Sequence, residues 1–307
     1  DRGLRELSQR DADGAFSEPT YEATDGRLVK YRDCAAPGQA VVHGGLKLNA
    51  ERTRDMGNGI MSKEFMIEGI SKDDVYLGIK AVTAAEMDSR TWVMEKFGSG
   101  IVIHGSPADV RAAIQCTAQD VRRTTLYGHV GWRAIGKKWV YLHGGGAIGG
   151  RAQVKLDGTL AQYTLPKGAV NPHEAAALLL KVKKLSSPDV GVILLAAIAL
   201  SPLVEVLQPS VSYALIGPTG SYKTSLAGVV LSCYGTFEPS QMTESWESTP
   251  NAIEQTLFIA KDVPVVIDDL LRDSSGRRMA TANQVIRKNA NGASRGRMEA
   301  DGSRRPD

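Results

Sequence analysis

SYALIGPTGSYKTSLAGVVLSCYG, Ser212–Gly235, decides the reading of this chain. It departs at one position from the phosphate-binding loop pattern G-x-x-x-x-G-K-[ST]. Gly217 opens the pattern and Lys223-Thr224 closes it, but Tyr222 stands where the last glycine belongs. The flanks fit. VSYALIG upstream has the apolar texture of a buried strand, and Leu226, Val229, Val230 and Cys233 downstream recur at i, i+3, i+4 and i+7, one face of a helix. A phosphate loop needs this strand–loop–helix setting.

Holding a nucleotide phosphate takes three parts. Backbone N–H groups curl around the β-phosphate at the positive end of a helix. A lysine reaches the β- and γ-phosphates, and a hydroxyl binds Mg²⁺. The candidate nucleotide site is therefore Gly217, Pro218, Thr219, Gly220, Ser221, Tyr222, Lys223, Thr224 and Ser225, with Lys223 as the phosphate cation and Thr224 as the metal hydroxyl. Glycine is favoured at position 222 because a Cβ crowds the ligand. A side chain pointing outward is tolerated there if the local φ is negative, and on that reading Tyr222 is a variation and not decay. The plain alternative is a glycine turn that binds nothing.

A second motif supports the first. VPVVIDDLLRD runs Val263, Val265, Val266 and Ile267 into Asp268 and Asp269, an apolar strand ending in two acids. Asp268 is the expected Mg²⁺ carboxylate, holding the ion through water. Asp269 is the expected catalytic carboxylate that polarises the attacking water, where additional-strand ATPases usually carry a glutamate. Aspartate is one methylene shorter. Between the motifs, QMTESW reads as an inserted strand, and Thr249-Pro250 opens a helix with Ile253, Leu257 and Ala260 inward. Glu254 on that helix is a candidate helper at the site or, on the plainer reading, a solvated glutamate.

Three domains are expected: a flexible segment 1–18, a β-rich α+β domain 19–165, and an α/β P-loop NTPase domain 166–307 of the RecA/AAA-like, additional-strand type. In the β-rich half, Ser106-Pro107 caps a helix with Val110, Ala113 and Ile114 on one face. Asn171-Pro172 and Ser187-Pro188 start two more helices. The second carries VGVILLAAIALSPLV, which ends at Glu205, falls short of a membrane span and reads as a buried helix. The opening residues are charged and lack an apolar signal core, so no export signal is expected. Cys34, Cys116 and Cys233 form neither a CxxC nor an even framework, which fits a reducing cytoplasm.

HGGGAIGG contains G-x-G-x-x-G at Gly144, Gly146 and Gly149, but the alternating RAQVKLDGTL follows in place of a helix, so a β-turn region is expected and not a dinucleotide site. His143 and His173 read as structural. Residues 271–307 hold nine Lys and Arg against four Asp and Glu, a basic segment with DNA as its candidate partner. A solvated helix and loop, or an arginine reaching a neighbouring subunit's γ-phosphate, are the other readings of Arg295 and Arg297.

GHVGWRAIGKKWVYLHGGGAIG, GPTGSYKTSLAGVV, ESTPNAIEQTLFIAKDVPVVIDDLLRD and NANGASRGR, in that order from Gly128 to Arg297, resemble the helicase-like family called domain of unknown function nine-twenty-seven, found in phages, plasmids and integrative elements. The resemblance implies an ATP-driven motor on DNA, with ATP and Mg²⁺ as cofactors and a homo-oligomeric assembly. Such an ATPase carries further strands after its acidic pair, so the stretch reads as a C-terminally incomplete motor domain. The competing expectation is a nucleotide-dependent DNA-binding or regulatory module without motor activity.

Overall fold

The computed structural model describes residues 15–33, 37–57, 61–168, 171–209, 211–238, 241–271 and 276–291. The expected flexible segment lies largely outside them, as do Cys34, Arg295, Arg297 and most of the basic C-terminal stretch. The chain forms two compact units, residues 1–54 with 61–125, and residues 55–60 with 126–307. The division at Thr125/Leu126 comes well before the change of sequence texture near residue 166.

In the first unit, β1 (Ala15–Thr24), β2 (Arg27–Asp33) and β3 (Gln39–His43) form an antiparallel meander. It is followed by β4 (Gly45–Asp55), β5 (Met61–Ile70) and β6 (Tyr76–Thr83), then α1 (Thr91–Phe97), β7 (Val102–Ile103), α2 (Pro107–Cys116) and β8 (Arg122–Tyr127). β7 completes the meander sheet, and β4 lies between β8 and β5. The start of α2 follows the sequence: Ser106 and Asp109 form a reciprocal capping box, with Pro107 in the first turn. Val110, Ala113 and Ile114 then enter a core with Val42, Ile67, Val82 and Trp92. Asp109 also accepts from Tyr21 and Lys30, and the Lys30 ammonium is the main cause that holds its carboxyl well below the usual range.

The second unit begins with a small antiparallel sheet. β9 (Gly131–Ile135), β10 (Lys138–His143) and β11 (Gly146–Ile148) are ordered β11-β10-β9, and β12 (Gln153–Val154) pairs in parallel with the end of β8. No helix follows the glycines at 144–149, in keeping with the β-turn reading. His143 is buried and its Nδ1 accepts from Gly145 N and Leu165 N, which gives it a structural role. His173 lies in the first turn of a helix, where its backbone N–H donates to Asn171.

The helices are α3 (Pro172–Lys181), α4 (Pro188–Leu200), α5 (Val204–Leu207), α6 (Lys223–Ser232), α7 (Pro250–Ile259) and α8 (Arg277–Asn291). Asn171 and Thr249 cap α3 and α7 through their side chains, as the sequence implies. β13 (Glu244–Ser245) and β14 (Ile267–Asp268) pair in parallel.

Two expectations are corrected here. VSYALIG is not a buried strand: Val211–Gly217 is exposed apart from half-buried Leu215, forms no ladder among the described residues, and leaves Ile216 92% exposed. An apolar, β-rich segment becomes a buried strand only where neighbours take its N–H and C=O groups, and β14 pairs only with β13 here. The apolar helix is also longer, and far less buried, than expected. Ser201–Leu203 continues α4 into α5 because Pro202 sits in the first turn of a 3₁₀ segment, where its missing N–H costs little. Pro188–Leu207 is 20 residues long with hydropathy 2.4, long and apolar enough by length and composition to cross a membrane, and 22% of its window is buried. Gly191, Leu194 and Ile198 face a core with Val182 and Val230, while Val192, Ile193 and Val206 are exposed.

Candidate nucleotide-binding site

The site is built from the start of α6 and the end of β14. α6 is anchored from below: Leu226, Val229, Val230 and Cys233 pack with Leu194 and Ile198 of α4, and Leu231 is buried against Tyr163 and Val130. This fixes the axis of α6 and hence the loop at its positive end. Gly220 takes φ 84, a left-handed turn that glycine adopts without strain.

Tyr222 corrects the condition set on it. Its φ is 57, not negative, and it is the residue preceding the first turn of α6. The loop thus keeps the left-handed bend suited to glycine, at a cost of roughly 1–2 kcal/mol for an L side chain. The ring does not fill the cradle, being 77% exposed. Tyr222→Gly is expected to raise stability by up to about 1 kcal/mol, because released strain outweighs the added chain entropy of glycine. The shift of a urea midpoint at constant slope checks it.

Lys223 closes the loop on itself. Its Nζ donates to Gly217 O at 3.0 Å and Pro218 O at 2.8 Å, and reaches Ser221 Oγ at 3.4 Å. The ammonium thus occupies the mouth of the loop, satisfied by carbonyls that a phosphate would replace. Ser221 Oγ also donates to Pro218 O at 2.8 Å. Thr219 and Ser225 are exposed beside it.

Two residues far apart in sequence meet here. Thr224 Oγ1 donates to Asp268 Oδ2 at 3.1 Å. The other carboxylate oxygen, Oδ1, accepts from Asp269 N at 2.9 Å, which sets the rotamer of Asp268. This hydroxyl and carboxylate would offer Mg²⁺ the hard oxygen donors it takes, Thr224 directly and Asp268 through water. Asp269 leaves the strand at φ 64 and is exposed, one residue beyond.

The neighbouring strand adds what the sequence did not reveal. Register sets Ser245 opposite Asp268, and Trp246 N donates to Asp268 O at 3.0 Å. Glu244 fastens that strand to α7: it accepts from Ser248 Oγ at 2.5 Å and from Thr256 Oγ1 at 2.9 Å. A carboxylate in the inserted strand with hydroxyls at positions 248 and 256 was the available signal. Glu247, just past the strand, pairs with Arg278 of α8. Glu254 is no solvated group; it is partly buried and pairs with Lys288 at 2.5 Å. Among the described residues no group of three or more His, Cys, Asp or Glu gathers as a metal cluster.

Residues 98–307, more than half of the chain, match the family model described as "Domain of unknown function (DUF927)". The chain belongs to the DUF927 family. The matched region contains the whole loop, both acids and the β9–β11 sheet, so the Thr224–Asp268 meeting point lies inside the DUF927 part. No match was found among curated proteins or among solved structures.

Proposed function

We propose that the second unit binds ATP with Mg²⁺ at residues 217–225 and hydrolyses it, as the motor portion of a DNA helicase or translocase of a mobile genetic element, working in the cytoplasm as a homo-oligomer. The observation that carries the reading is the 3.1 Å contact between Thr224 and Asp268, which joins the two motifs at one point. Mg²⁺ there neutralises charge on the phosphate oxygens. The chain's own groups do the rest. Loop N–H groups and the α6 terminus hold the phosphates, Lys223 turns from the loop carbonyls to a phosphate oxygen, Thr224 and Asp268 hold the cation, and Asp269 orients water.

The test is a titration of the full chain with a fluorescent ATP analogue, with and without Mg²⁺. Binding is expected to require Mg²⁺ and to weaken at least tenfold in Lys223→Ala, whereas Asp269→Asn should bind normally and turn over little. Equal affinity in wild type and Lys223→Ala would reject the site.

Tyr222 at φ 57 and the unpaired Val211–Gly217 segment favour a second reading, a nucleotide-dependent DNA-binding or regulatory module without motor activity. Turnover stimulated by DNA supports the motor. DNA binding that is steep in salt and indifferent to ATP supports the module.

A further inference from the structure

Away from the phosphate loop, the β9–β11 sheet leaves an aromatic group and several cations facing outward. Residues 126–156 contain no Asp or Glu and five Lys and Arg. Arg133 is taken by Asp55 at 2.6 Å. The other four, Lys137, Lys138, Arg151 and Lys155, are exposed, and none pairs with a carboxylate among the described residues.

Register assigns the faces. Residues opposite each other in a ladder share a face, and neighbours along a strand alternate. Tyr141 stands opposite both Trp132 and Ile148, and Trp139 is two residues before it, so these four lie on one face. Val140 and Leu142 lie on the other, buried with Tyr127. On the first face Tyr141 is covered: it meets Trp132 edge-on at 5.2 Å and its hydroxyl donates to Asp262 O at 2.7 Å. The cover stops there. Trp139 is 60% exposed and Ile148 55% exposed. Lys137 adjoins Trp139 from the turn of the hairpin, whereas Lys138, its neighbour in the strand, belongs to the opposite face. Gly149 lies against Trp139, a Cβ there falling 3.5 Å from Trp139 O.

We propose that this outer face binds single-stranded nucleic acid, with Trp139 as the stacking platform and Lys137 on a phosphate. The chemistry is that of sequence-tolerant strand binders, which combine a base-stacking aromatic with a cationic track. A duplex hides its base faces, so the indole selects unpaired bases. The cores of protein interfaces are depleted in lysine, and here an unpaired lysine adjoins the aromatic in an acid-free stretch. The site is separate from the phosphate loop, and its binding needs no nucleotide.

Fluorescence anisotropy of a labelled oligo(dT) with the full chain tests this. The wild type is expected to prefer oligo(dT) to a duplex of equal length. Trp139→Ala should weaken binding roughly 5- to 150-fold, the loss of one stacked base. Trp139→Phe should keep most of it. Lys137→Ala should lower the log–log salt slope by about 0.7, the loss of one phosphate contact. An unchanged urea midpoint establishes that the variants are folded. The proposal is overturned by no binding in the wild type, by preference for duplex, or by unchanged affinity in Trp139→Ala. It is equally overturned if Trp139→Ala dissociates an oligomer while oligo(dT) affinity stays, which would make the face a protein interface. An absence of ATP binding would reject the proposed motor and leave this test unaffected.

Discussion

Asp268→Asn is expected to lower Mg²⁺-dependent ATP turnover by roughly 100- to 1000-fold, the several kcal/mol that a metal-held charge supplies to a phosphoryl transition state. The fold should survive. Asp268 accepts from two donors, the Thr224 hydroxyl through Oδ2 and the Asp269 N–H through Oδ1. Asparagine keeps one acceptor and turns an NH₂ toward the other donor, a loss of about 1 kcal/mol at a part-buried position that water can reach. The large effect on turnover against the small one on stability separates a ligand role from a packing role. Thr224→Val should act through the same cation. The double variant should therefore be no slower than the worse single variant, a coupling that independent sites do not show. Steady-state turnover against Mg²⁺ concentration, with thermal melts of each variant, checks all of this. Turnover at the wild-type rate in Asp268→Asn would place the chemistry elsewhere.

What the sequence made legible was mostly local chemistry. Ser106-Pro107, Asn171-Pro172 and Thr249-Pro250 each start a helix because a side-chain acceptor and a ring-fixed φ act within four residues. The apolar spacing Leu226, Val229, Val230 and Cys233 settled the inner face of α6 in the same way. The meeting of Thr224 with Asp268 was legible as an expectation from two motifs with a strand between them. What depended on distant partners was not legible. Val211–Ile216 has the side chains of an inner strand, yet a strand is a property of at least two segments. The φ of Tyr222 could not be read either, because the loop's closure on Lys223 sets it and not the residue type. The face of Trp139 was hidden for a related reason: register sets Tyr141 and Trp139 on one face, and only the distant Asp262 contact covers the first and not the second. The Asp262 junction was missed because Lys261-Asp262 reads simply as a polar turn before VPVVIDD.

That junction gives the largest expected loss of stability, Gly131→Ala, about 2–5 kcal/mol. Gly131 has φ 89, and a Cβ there would fall 2.5 Å from both Asp262 Oδ2 and Lys261 O. The left-handed backbone costs an alanine about 1–2 kcal/mol, and overpacking against fixed backbone another 1–3. Neither neighbour can retreat. Asp262 is buried with φ 54; its Oδ2 accepts from Trp132 N at 2.9 Å and its Oδ1 from Glu205 N at 3.1 Å, so one carboxylate ties β9 to α5. Lys261 is held in turn by Gly57 O at 2.7 Å. Burial pushes the Asp262 carboxyl above its ordinary value, against the pull of those two N–H groups. A carboxyl whose folded pKa is raised binds more protons folded than unfolded. Its contribution is therefore full below about 3.8 and declines as pH rises through the raised value. Asp262→Asn removes this decline but turns an NH₂ against one N–H donor, costing about 1–3 kcal/mol at neutral pH. Urea midpoints of wild type, Gly131→Ala and Asp262→Asn across pH 4 to 7 separate the steric loss, which should be constant with pH, from the ionic one, which should not. A Gly131→Ala variant as stable as wild type would mean that the turn before β14 yields freely, and the grip on Asp262 would not then be what sets the position of the strand that ends in Asp268.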